Sequence, residues 1–140
     1  MTWKELVDKK EFLSDCDPKL LRLPEDHQFY SLFRKYVPRE AALNIIREQM
    51  DNNDVSLVAN NFPYTAMIHN LPVKHYCLWS IKGRLENNEI CDLVKKYFPN
   101  NEWFYSERKT NHKSVPEIWH CHIFVKFEKQ DLTPTSLSSI

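Results

Sequence analysis

Val115-Pro116-Glu117-Ile118-Trp119-His120-Cys121-His122-Ile123-Phe124-Val125 is the stretch on which the fold reading turns. Successive side chains of a β-strand point to opposite faces, so Trp119, Cys121, Ile123 and Val125 share one face. His120, His122 and Phe124 share the other. Strand propensity does not ask for two imidazoles within an otherwise apolar strand, so this pair calls for an explanation.

Working outward, residues 73–81 are rich in β-branched and aromatic side chains and read as a second strand, on which His75, Cys77 and Trp79 share a face. Residues 55–58 and 102–106 read as shorter strands. Between strands, residues 88–98 carry Ile90, Leu93, Val94 and Tyr97 on one helical side, and Pro99-Asn100-Asn101 stops them. The amino-terminal half is helical in pattern. Thr2 and Glu5 form a capping box opening a helix over residues 3–13, with Trp3, Leu6 and Val7 facing inward. Residues 15–18 break it. Pro24 suits the first position of a helix over residues 24–36, where Phe29, Leu32, Phe33 and Tyr36 recur at helical spacing. Pro38 opens a third helix with Ala42, Leu43, Ile45, Ile46 and Met50 on its apolar face, and residues 51–54 turn. Residues 60–64 and 107–116 read as loops. Helices first, strands later and one helix among the strands indicate an α+β domain. N-terminal helices pack on a small, largely antiparallel sheet with one further helix between strands. Residues 1–129 are expected to form this single domain, and the polar, Ser/Thr-rich residues 130–140 a disordered tail.

Composition narrows the function. The chain has 140 residues and a formal net charge of zero. Without a basic excess, nucleic acid is not an expected partner. No apolar run is long enough to span a bilayer and residues 1–5 show no signal-peptide pattern, so no membrane partner and a cytoplasmic location are expected. Cys16, Cys77, Cys91 and Cys121 are scattered and are expected as reduced thiols, the last three as small core hydrophobes. Gly83 is the single glycine. That excludes the dinucleotide fingerprint, the P-loop and the nucleophile elbow, each of which needs several. Turns fall instead to Pro, Asp and four Asn-Asn doublets.

A His-x-His pair on a strand sets its two rings on one face, roughly 7 Å apart at Cα. One imidazole can serve as acid or base, or contact an anion, while the other orients it. The pair can also join a third ligand around a metal, with His75 as the nearest candidate. Equally, both rings can simply satisfy hydrogen bonds in a core. The histidine-triad motif is incomplete because its third position is Phe124. The paired His-x-Thr motif of certain phosphoesterases fails because Cys77 and His122 follow His75 and His120. Glu117 is expected on the face opposite the pair, which leaves the metal reading without a carboxylate. Trp79 is either core or a stacking wall. Arg108, Lys109, Asn111 and Lys113 lie in the loop entering the strand and would offer cations to an anion if the loop folds over the rings. His27, His69 and His112 read as surface.

Several segments together resemble the fungal N-acetylglucosamine-induced protein family, a domain of unknown function. Thr2-Trp3-Lys4-Glu5-Leu6 resembles its Thr-Trp-x-Glu-Leu opening. Leu21-Arg22-Leu23-Pro24 with Tyr30 resembles its Arg-x-Pro and Tyr segment. Asn60-Asn61-Phe62-Pro63-Tyr64 resembles its Asn-Asp-Trp-Pro-Tyr loop, and His75-Tyr76-Cys77-Leu78-Trp79 its His-to-Trp strand. Trp103-Phe104, Ser114-Val115 and His120-Cys121-His122 follow in the family's order. Tyr105-Ser106 stands where the family has Lys-Asn, the loop before Ser114 is longer and the segment around Gly83 shorter. The resemblance implies a link to sugar or sugar-nucleotide metabolism and no particular reaction or cofactor. It picks out Asn60, Tyr64, His75 and Trp79 as ligand-binding candidates beside His120 and His122 as catalytic ones; Lys113 joins the ligand-binding set by position in its loop. The leading expectation is a binder of, or enzyme on, a small anionic ligand such as a phosphorylated sugar or nucleotide. The alternative is a non-catalytic interaction or structural module with structural histidines and a protein partner.

Overall fold

In the computed structural model, residues 1–109 and 115–128 are described. Lys113, Asn111, His112 and the tail residues 130–140 named above lie outside them. The sheet has four strands: β1 (Val55–Ala59), β2 (Val73–Ser80), β3 (Trp103–Ser106) and β4 (Trp119–Lys126). They run in the order β1-β2-β4-β3, with every neighbouring pair antiparallel. The two longest strands are therefore central neighbours. Their register sets His75 opposite Phe124, Cys77 opposite His122 and Trp79 opposite His120. The α+β architecture is the one expected from the element order.

Alternation gives the sheet two different faces. One carries Leu57, Tyr76, Leu78, Cys121, Ile123 and Val125, and is covered by α6 (Asn87–Tyr97) through Ile90 and Val94, with Leu85 and Phe98 from its flanks. A capping box between Glu86 and Glu89 opens α6, and Lys95 and Lys96 sit where its dipole is negative. The other face carries the histidines and lies under the amino-terminal helices. These are α1 (Trp3–Asp8), α2 (Lys10–Asp15), α3 (Pro24–Tyr36), α4 (Arg39–Met50) and the single turn α5 (Thr65–Ile68). Leu6, Leu13 and Leu21 pack on Phe104 and Phe124 at one end of this face. Leu43, Ile46 and Met50 of α4 pack on Cys77, Trp79 and Ile118 at the other. Between these two apolar clusters sits the polar group described below.

Several expectations are corrected. The helix over residues 3–13 is two helices, because Lys9 leaves the α region (φ −91°, ψ 13°) and its N–H turns back to the Leu6 carbonyl. Trp3 and Val7 are only half-buried, whereas Leu6 and Leu13 are fully buried. α3 has its expected bounds, yet none of its residues is buried: of its apolar stripe Phe29, Leu32 and Tyr36 are exposed and Phe33 is half-buried. α5 was not anticipated, since one turn is too short to show a period. Ile45 and Tyr97 are exposed at 37% and 49% despite their apolar spacing. Glu117 is not on the opposite sheet face: it precedes β4 in a turn and pairs with Arg39 at the start of α4.

Candidate functional site

The site is built from the loop after β1. Asn60 closes it on itself: its Oδ1 accepts from the Phe62 N–H at 2.6 Å, an Asx-type turn. The turn sends Phe62 toward α3, where its ring meets Phe29, Tyr30 and Phe33 at 4.9–5.9 Å. Tyr64 goes the other way, into the sheet, and is 3% exposed.

There Tyr64 meets two imidazoles. Its N–H donates to His75 Nδ1 at 3.0 Å. His75 Nε2 lies 2.8 Å from His122 Nδ1, and His122 Nε2 lies 3.0 Å from the Tyr64 hydroxyl. Three residues thus form a closed hydrogen-bonded circuit, which Tyr64 joins through its backbone N–H at one end and its hydroxyl at the other. The Asn60 amide joins it by donating to Cys77 Sγ at 3.1 Å, and Cys77 stands 3.9 Å from His122 Nδ1. The rings of His75 and Phe124 stack at 4.4 Å, which holds the circuit from behind.

Burial dominates the titration of this group. It holds both histidines well below their ordinary pKa, with Arg22 adding to the shift of His75 and His75 adding to that of His122. Burial likewise pushes the Cys77 thiol up to about 12 and raises the Tyr64 phenol. Near neutral pH all four are uncharged.

The charge in the site is on arginines. Arg22 is 8% exposed and Arg108 5%. Arg108 donates to the carbonyls of Leu13 and Cys16, both at 2.8 Å, and so closes the carboxyl end of α2. Arg22 donates from Nε to the Phe62 carbonyl at 2.9 Å and lies over the rings of Tyr30 and Tyr64 at 4.0 and 5.1 Å. Among the described residues neither arginine pairs with a carboxylate. Burying an unpaired cation is costly, and the cost is felt as a downward pull of burial on the Arg22 pKa. Both open on one cavity of about 140 Å³. Arg34 also lines it, and none of its described lining residues is acidic. Its floor is Tyr64, Cys77, His120 and His122; its walls include Phe62, Trp79 and Ile46. The His120 ring lies tilted against Trp79, centroids 4.3 Å apart, and donates from Nδ1 to the Ile118 carbonyl at 3.2 Å.

Of the candidates read from sequence, Asn60, Tyr64, Trp79, His120 and His122 line this cavity, and His75 stands directly behind His122. Lys113 is outside the described residues. Arg22 and Cys77 belong to the site and were not singled out for it. Cys77 was read as a core hydrophobe, although its strand face already placed it between His75 and Trp79. Arg22 carried no local signal beyond its place in the family-like segment. His69 is exposed and His27 half-buried.

His75, Cys77 and His122 bring three ligand-capable atoms within 4.8 Å of one another, so Cys77 rather than His120 completes the metal-like trio. Donor chemistry opposes a metal there. The Tyr64 N–H can only donate, so His75 Nδ1 holds a lone pair and Nε2 the proton. A metal on Nε2 would displace that proton and turn Nδ1–H against the Tyr64 N–H. The 2.8 Å nitrogen separation is also that of a hydrogen bond, shorter than two ligands about 2.0–2.1 Å from one tetrahedral zinc would allow.

No family model and no curated protein matches the chain. The chain is similar in fold to HTC1. The crystal structure of HTC1 superposes with a TM-score of 0.54 at 16% identity, over 99% of this chain and 91% of that one. At that identity the likeness is one of fold alone. No helix among the described residues is long and apolar enough to cross a membrane.

Proposed function

We propose that the protein binds a small anionic molecule, a phosphorylated sugar or a nucleotide, in the cavity between α3, α4 and the histidine face of the sheet. The observation that carries this is Arg22: a nearly buried cation, without a carboxylate partner among the described residues, opening on a cavity whose described lining has no acid. An anion supplies the charge that the fold withholds. His120 and His122 form part of its floor and Trp79 a flat wall. Both ring nitrogens of His122 are engaged, Nδ1 with His75 and Nε2 with Tyr64, so recognition is favoured over general-base catalysis. The same reading takes the chain as a short member of the fungal N-acetylglucosamine-induced family. It is supported by Arg22, Tyr30, Phe62 and Trp79, quoted for that resemblance, lining one cavity together.

Thermal shifts against inorganic phosphate, sugar phosphates, nucleotides and divalent metals test the proposal. An anion at a hundred times its dissociation constant adds about 2.7 kcal/mol. Arg22→Met is expected to abolish that gain while leaving the unliganded protein as stable or more so, since a buried unpaired charge is replaced by an apolar chain. The metals are expected to add nothing. A flat panel of anions sinks the proposal. One observation favours an interaction module in that event: Phe29, Leu32 and Tyr36 form an exposed stripe along α3.

A further inference from the structure

The hydrogen-bonded circuit has a direction, and the direction decides what the cavity floor offers. The Tyr64 N–H donates to His75 Nδ1, so His75 carries its proton on Nε2. That proton points at His122 Nδ1, which therefore accepts. His122 then carries its own proton on Nε2 and gives it to the Tyr64 oxygen. The Tyr64 hydroxyl receives a hydrogen bond and keeps one to give. Among the described residues nothing accepts it. Tyr64 is 3% exposed and lines the cavity, so an unspent donor is aimed into it. Leaving such a buried donor unmade is costly, and a ligand acceptor relieves the cost.

The cavity also has a size. It measures about 140 Å³. An apolar cavity of about 150 Å³ accepts one benzene ring. Its aromatic and aliphatic walls, Phe62, Trp79, Leu21 and Ile46, suit the faces of a ring. One ring fills that space, and any further group of a larger ligand extends through its open mouth.

We propose that the cavity selects a single six-membered ring bearing one anionic group, with the charge against Arg22 and an acceptor atom of the ligand on the Tyr64 hydroxyl. This rests on the anion-binding reading above and narrows it. A pyranose phosphate and a heteroaromatic carboxylate share this chemistry.

Calorimetric titration of the full chain separates the cases. The probes are glucose 6-phosphate, nicotinate, isonicotinate, benzoate, uridine monophosphate and inorganic phosphate. At least one of the first three is expected to bind about tenfold or more tighter than the nucleotide and free phosphate. Benzoate, a ring acid without a ring acceptor, is expected to bind more weakly than the better of its two nitrogen analogues. Tyr64→Phe is expected to weaken the best ring ligand about tenfold, the worth of one well-placed hydrogen bond, and to leave phosphate binding unchanged. Glucose 6-phosphate binding best would assign the sugar arm, and a pyridine carboxylate binding best the aromatic arm. Tighter binding of the nucleotide or of bare phosphate overturns the single-ring inference and leaves the anion site standing. Silence from every probe overturns both. A ring ligand indifferent to Tyr64→Phe removes Tyr64 from the proposal. Nitrogen NMR of the unaltered protein gives a check independent of any variant's folding. Both His75 and His122 are expected as neutral Nε2–H tautomers, and an Nδ1–H tautomer at either overturns the circuit.

Discussion

An added proton finds no place on His75. Its Nδ1 is occupied by the Tyr64 N–H, its Nε2 already bears the hydrogen facing His122, and Arg22 stands nearby. His122 is held neutral in the same way. The unfolded chain protonates its histidines at about pH 6.5. Between that value and the lower folded pKa values the unfolded state holds more protons, so stability rises with pH there. The stabilisation is complete above the unfolded value and is lost as pH falls below it. Each ring contributes a slope approaching about 1.4 kcal/mol per pH unit. Urea midpoints between about pH 7.5 and 5.5 check this, and the carboxylates, with pKa values near 4, contribute little over that span. A midpoint that stays flat, or rises on acidification, refutes the buried neutral pair. Much of this was legible from alternation alone, which put His120 with His122 and His75 with Cys77 and Trp79. The Tyr64 backbone contact that orders the tautomers was not, because it depends on the turn Asn60 imposes.

Element by element, the helix that covers the cavity is the least anchored. α3 buries no residue, and Phe62 is the wedge between it and the rest of the site. Thr65 ties down its start, accepting from the Leu23 N–H and donating to Asp26. Helices with few buried apolar groups open at the lowest free energy. In hydrogen exchange, residues 24–36 are expected to exchange well before α6, whose Ile90 and Val94 are buried. Phe62→Ala removes the wedge. It is expected to cost about 1–2 kcal/mol, less than a fully buried Phe, and to raise exchange in residues 24–36 while β2 and β4 keep their protection. Equal loss of protection across the sheet would mean that α3 is integral to the core. The bounds of α3 were readable from Pro24 and Pro38, and those of α6 from its apolar period and Pro99. What could not be read was which apolar stripe is buried. Period reports that a face exists, whereas burial depends on the partner, and along this stripe Phe62 meets Phe29 and Phe33 while Leu32 and Tyr36 stay exposed.

At the scale of the whole molecule, the four-stranded sheet is a partition. Its α6 face is mainly aliphatic and aromatic, with the Tyr76 hydroxyl and the Cys121 thiol its buried polar groups. Its other face gathers the imidazoles, the thiol and two buried arginines between two apolar clusters. The chain's zero net charge does not show this asymmetry, in which Arg22, Arg34 and Arg108 line one cavity whose described lining has no acid. The strand order sets it up: placing β4 beside β2 joins two histidine-bearing segments that lie far apart in sequence. Stability and recognition should therefore separate. Ile90 is 2% exposed in the α6 core. Ile90→Ala is expected to lower the unfolding free energy by about 2–5 kcal/mol, the transfer and cavity cost of an aliphatic core truncation. Residues more than about 7–10 Å apart without shared partners act additively within about 0.5 kcal/mol. The gain in unfolding free energy at saturating phosphate should then be the same in Ile90→Ala as in the parent, measured by urea unfolding with and without the anion. A variant that keeps a cooperative transition yet loses the phosphate gain would show that the sheet transmits packing from one face to the other. The cavity would then depend on α6 as well as on the helices above it.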